Sequence, residues 1–168
     1  MKISTITLLA FTMLAMANCA DGGETADGTP IPATTVQPLA QWVEQQTDVK
    51  MPALPIVVAS EQDLRHSLGL DAVQQARAVA AYIPGRVYID NLVWDPNSVV
   101  SESYLVHELV HHAQLFDGKT YPCHAAKERE AYTLQNKWLA EHGEGPVVTE
   151  SWIDRISSCS TGNDYDSD

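Results

Sequence analysis

Residues 106–114 read VHELVHHAQ and place three of the chain's six histidines, with a glutamate, inside one short stretch. Leu105, Val106, Leu109 and Val110 recur at the spacing of one helical face, so the stretch is predicted to lie on a helix that is largely buried. Working outward, Asp95-Pro96-Asn97-Ser98 supplies a break and a cap on one side, and Asp117-Gly118 a stop on the other, which sets a helix from about Val99 to Phe116. Residues four apart on a helix are separated by about 40° around its axis, so His107 and His111 project to the same side, one turn apart. His112 points about 100° away and reads either as a support for the cluster or as a hydrogen-bonded packing residue.

Two imidazoles so placed can hold one zinc ion, and Glu108 is displaced to where its carboxylate reaches a metal-bound water rather than the metal itself. The competing reading is that histidines on a buried helix are simply hydrogen-bonded core residues, since the H-E-x-x-H spacing also arises by chance. Zinc with an open position needs three protein ligands, which directs attention downstream. The stretch AKEREAY (126–132) falls on a second predicted helix, about His124 to Glu141, with Ala131, Leu134 and Trp138 on its buried stripe and Gly143 as its stop. Glu128 lies back along that stripe. Glu130 lies about 200° from it around the axis and reads as a solvated charge, while Arg129 faces water or pairs with an acid. His124, one turn before Glu128, is the spare ligand. Gln114 returns to the metal face, where it orients a water or substrate carbonyl, or caps local backbone. His66 and His142 read as surface residues.

Taken together, His107-Glu108-x-x-His111 and Glu128-Arg129-Glu130-Ala131 resemble the gluzincin branch of the zincin metallopeptidases, in which H-E-x-x-H on one helix is completed by a glutamate on a later one. The resemblance covers mainly residues 86–140. It implies His107, His111 and Glu128 as ligands of one zinc per chain and Glu108 as the general base. Tyr132 stands where many relatives carry an aspartate that supports a ligand histidine; its phenol donates to that histidine, faces the substrate as a catalytic group, or packs. The resemblance also implies an edge strand above the cleft, for which Tyr88–Leu92 is the candidate, with a place inside the sheet as the alternative.

Elsewhere, Leu39, Trp42, Val43 and Gln46 form a helical stripe and LPIVVAS (54–60) is a short β-branched run fit for a buried strand. Ser60 with Asp63 opens a helix that Gly69 stops. AVAAYI (78–83), the turn Pro84-Gly85 and RVYIDNLVW (86–94) read as a hairpin. A last helix puts Trp152, Ile156 and Cys159 on one face. The expected class is α+β: a minimal zincin-like domain over residues 36–160, two long helices carrying the metal site and packed with a small antiparallel or mixed sheet.

The first 19 residues read as a secretory signal peptide, with Lys2 ahead of an uncharged run ending Ala15-Met16-Ala17. Two readings of Cys19 stay open: acylation in the manner of a lipoprotein, which would be the chain's only tie to a membrane, or cleavage after Ala17 that leaves a thiol. Residues 20–35 read as a flexible linker and 161–168 as a disordered acidic tail. In an oxidising compartment the other two of the three cysteines, Cys123 and Cys159, are expected to pair. A net charge of −12 argues against nucleic acid as a partner. The expected function is an exported, periplasmic, extracellular or lipid-anchored zinc hydrolase, a metallopeptidase acting on a peptide or protein. The alternative is a non-catalytic exported module that keeps the scaffold for binding.

Overall fold

The structure is a computed structural model that describes residues 28–70 and 78–159. The segment 1–19 read as a signal peptide, Cys19 within it, and the tail 161–168 lie outside the described residues. The elements run β1 (Thr29–Pro30), α1 (Ala33–Thr47), β2 (Ile56–Ala59), α2 (Glu61–Ser67), β3 (Ala80–Ile83), β4 (Arg86–Ile89), α3 (Val99–Ala113), α4 (Ala126–Glu141) and α5 (Glu150–Ile156). The strands form a mixed sheet in the order β1-β2-β4-β3: β1 is antiparallel to β2, β2 parallel to β4, and β4 antiparallel to β3. The class is α+β, as expected.

Alternation along β4 explains its place. Val87 and Ile89 are fully buried and join Leu105, Val106, Leu109 and Val110 of α3 in the main core. Val36, Leu39, Ala40 and Val43 of α1, at helical spacing, close that core from beside α3. Val58 and Leu64 are buried outside this cluster, and α2 packs against β3 and β4. Ser60 caps α2 by accepting the Asp63 N–H at 3.1 Å, and Ser98 caps α3 by accepting the Ser101 N–H at 3.3 Å. The β3–β4 turn is closed at Gly85, whose φ of 82° lies where a side chain would be strained.

Two boundaries differ from the sequence reading, and one alternative left open there is resolved. Residues 29–35, assigned to the linker, belong to the fold: the Ile31 N–H donates to the Val57 carbonyl at 2.9 Å, Ile31 is buried, and α1 already starts at Ala33. A β-carbon on Gly28 would sit 2.4 Å from Val58 Cγ1, so the chain enters the sheet edge through a gap that only glycine fits. Of the two places read for Tyr88–Leu92, the structure takes the one inside the sheet rather than at its edge. β4 pairs on both sides and the chain turns at Asp90, whose carbonyl accepts the Val93 and Trp94 N–H groups, so the edge falls to β3. Helix α3 also ends at Ala113 rather than Phe116, because the N–H groups of Leu115 and Phe116 bond three residues back and tighten the last turn.

Cys123 and Cys159 form the expected disulfide, closing a loop of 36 residues in sequence that joins the approach to α4 to the end of α5. Replacing both by alanine is expected to lower the unfolding free energy by roughly 2–4 kcal/mol, read from urea denaturation. An unchanged midpoint would mean that the bond constrains nothing.

Candidate metal centre

Packing of α3 against α4 brings the sequence-predicted ligands together. His107 Nε2 and His111 Nε2 are 3.2 Å apart, His107 Nε2 lies 3.3 Å from Glu128 Oε2, and His111 Nε2 lies 3.3 Å from Glu128 Oε1. A tetrahedron built on zinc–nitrogen and zinc–oxygen bonds of about 2.0–2.1 Å has edges of about 3.4 Å, so these donors are spaced as three corners of such a site. The two imidazoles and one carboxylate also suit zinc chemically. His107 is buried, and the Glu128 carboxylate remains partly open to the cleft.

The tautomers follow from the groups behind the rings. His107 Nδ1 is 3.1 Å from Gln135 Oε1, and the Gln135 amide donates in turn to Ser103 Oγ at 3.2 Å, which fixes its oxygen toward the histidine. His111 Nδ1 is 3.0 Å from Gln114 Oε1, while the Gln114 amide donates to the Lys127 carbonyl and to Glu130 Oε2, each at 3.1 Å. Each Nδ1 therefore carries a proton, and it is the Nε2 of each ring that would give its lone pair to a metal at the common point. Gln114 was expected on this face. Gln135 was not singled out, although it lies one turn beyond Ala131 on the buried stripe of α4 and is itself buried.

Burial raises the Glu108 carboxyl above the usual carboxylate range; His107 and His111 pull it down, Glu128 pushes it up, and a hydrogen bond from the Tyr82 backbone N–H pulls it down. At Glu128 burial acts upward but is outweighed by hydrogen bonds from both histidines, which hold the carboxyl well below its usual range. At His111 burial acts downward and loses to Glu128 and Glu108, so that imidazole is raised. Burial and the charges of Glu128 and Glu108 push the Tyr132 phenol to about 12, so it is a neutral hydroxyl at physiological pH.

The remaining candidates fall into place around this centre. The Tyr132 ring packs edge-on against His107, with centroids 4.2 Å apart, and lines the cleft. It does not support either ligand histidine through Nδ1, because amides hold both of those positions. His112 does not support the site either: Tyr82 Oη donates to its Nδ1 at 3.0 Å and its Nε2–H donates to the Ala53 carbonyl at 2.9 Å, so it ties α3 to the sheet, as a ring turned about 100° from the ligands must. Glu130 is not a solvated charge; the 117–121 loop folds over it, and it takes Lys119 Nζ at 3.1 Å as well as Gln114. Arg129 pairs with Asp154 at 2.8 Å. His124 lines the cleft without joining the donor cluster, and His66 and His142 are exposed.

Residues 29–165 match the family described as Domain of unknown function (DUF6647). The chain belongs to this family. No curated protein and no solved structure matches it. The DUF6647 match begins at Thr29, the first residue of β1, and takes in every element that positions the donor cluster.

In this DUF6647 domain the Gln135→Ala variant is expected to bind zinc about 10- to 100-fold more weakly, since it frees the His107 ring and its tautomer. Competition with a chromophoric chelator measures this, and unchanged affinity would remove Gln135 from the site.

Proposed function

We propose that the domain is an exported zinc metallopeptidase of gluzincin type. One observation carries the reading: three donor atoms from α3 and α4 stand 3.2–3.3 Å apart with the buried Glu108 carboxylate next to them, in the H-E-x-x-H plus Glu arrangement. Zinc bound there would lower the pKa of a coordinated water toward neutrality and polarise a carbonyl oxygen. His107, His111 and Glu128 would hold the ion. Glu108, its pKa lifted by burial and its carboxylate oriented by the Tyr82 N–H, accepts a proton from the attacking water and returns one to the leaving amine. Tyr132, a neutral phenol beside Glu108, has the position and protonation state to donate to the substrate carbonyl.

The edge strand β3 supports a peptide as substrate. Ala80, Ala81 and Tyr82 line the cleft together with Glu108, and among the described residues β3 pairs only with β4, so its other edge faces the cleft, with the Tyr82 N–H given to Glu108. The Cys123–Cys159 bond and the leader-like N-terminus support action outside the cytoplasm.

The purified domain is expected to hold about one zinc per chain by elemental analysis. Incubated with a mixed peptide library, it is expected to give cleavage products in mass spectra that a chelator abolishes and added zinc restores. A zinc-loaded protein that cleaves no peptide would leave a binding module instead.

A further inference from the structure

The cleft over the donor cluster is chemically lopsided. Toward α2 and the start of α4 its walls include Lys127 and the exposed His124. Toward α5 it forms a recess of about 440 Å³ walled by Tyr104, Tyr132, Val147, Val148 and Trp152, with the Gln135 side chain among them. His107 and Glu108 border both halves, and among the described residues the α5 half is lined by no other charged group.

This apolar wall is held in place by specific bonds. Asn136 on α4 grips the segment before α5 with both ends of its amide: Nδ2 donates to the Val148 carbonyl at 2.9 Å, and Oδ1 accepts the Val147 N–H at 3.0 Å. One side chain thus sets the orientation of both valines. Thr149 caps α5 by accepting the Trp152 N–H at 3.3 Å, and Ile153 anchors that helix in the interior. The Trp152 ring meets Tyr132 edge to face at 4.9 Å, and Tyr132 meets the ligand His107 at 4.2 Å. An unbroken aromatic surface therefore runs from the reactive centre into the recess.

We propose that this recess is the specificity pocket of the cleft and takes a bulky uncharged side chain, aromatic or leucine-like, next to the bond that is cut. The proposal rests on the peptidase reading above and names its substrate class. A recess of this size accommodates an aromatic ring, and removing such a side chain from water favours binding by about 10- to 100-fold over glycine. An aspartate or glutamate there loses its hydration, and the described side chains that wall the recess offer it no lysine or arginine and include the carboxyl of Glu108.

The test uses four peptide hydroxamates that differ only in the side chain beside the metal-binding group: glycine, leucine, phenylalanine and aspartate. Each is titrated calorimetrically into the zinc-loaded protein, so no turnover is required. The phenylalanine and leucine compounds are expected to bind about 10- to 100-fold more tightly than the glycine compound, and the aspartate compound more weakly than glycine. Val148→Asp, a change on a partly exposed loop, and Trp152→Ala are each expected to bring the phenylalanine-to-glycine ratio below about threefold while zinc content and glycine-compound affinity stay unchanged. Equal affinities across the series in wild type, or a preference that survives in both variants, would overturn the pocket and leave the peptidase reading standing, since the glycine compound still binds. If none of the four binds to zinc-loaded protein, the cleft is not a substrate site and both readings fall.

Discussion

The Glu108→Gln protein is expected to fold, to hold zinc as wild type does, and to cleave peptides about 10²–10⁴-fold more slowly, the range that a positioned acid–base group contributes. Glutamine keeps the shape of the side chain and an oxygen for the Tyr82 N–H. What it loses is the capacity to take a proton. Because burial opposes the charge of Glu108, a neutral amide there also removes a desolvation cost, so the melting temperature should hold or rise. Single-turnover cleavage, zinc content and thermal unfolding measured on one preparation separate these effects. Activity above about a tenth of wild type would remove Glu108 from the chemistry.

The second large effect concerns the metal and stability together. Zinc at about a thousand times its dissociation constant is expected to raise the unfolding free energy by about 4 kcal/mol, because it binds the folded donor set and not the separated residues. His111→Ala removes one donor and leaves the Glu128 carboxylate without one of its two hydrogen-bond partners, so this variant should lose the zinc response. Denaturation curves with and without zinc, for wild type and variant, make the comparison. An equal zinc response in the two would show that the metal is held elsewhere.

How much of this was legible depended on the range over which each signal acts. His107, Glu108, His111 and Glu128 were readable because helical geometry is local: four-residue spacing aligns two rings, and the apolar stripe of α4 selects Glu128 over Glu130. The caps at Ser60 and Ser98 and the turn at Pro84-Gly85 were legible for the same reason. Strand order was not. β2 pairs with β4 across an intervening helix and strand, so nothing near Tyr88 marks it as interior or marks Ala80–Ile83 as the edge. A strand of two residues has no period to detect, which hid β1 in what read as linker. Gln135 was passed over and Glu130 read as a solvated charge because an amide or a carboxylate gains its role from the partner opposite it, Ser103 and His107 for one, Gln114 and Lys119 for the other.

The use of two amides to brace the ligand rings has an electrical consequence. With zinc bound, the formal charges of the dication, Glu128 and Glu108 sum to zero, because Gln114 and Gln135 add none. Two carboxylates in their places would leave that small volume doubly anionic and drive Glu108 further toward its protonated form. Neutral braces give up some grip on the ion and spare the buried base that further upward push, in a molecule whose overall charge is already −12.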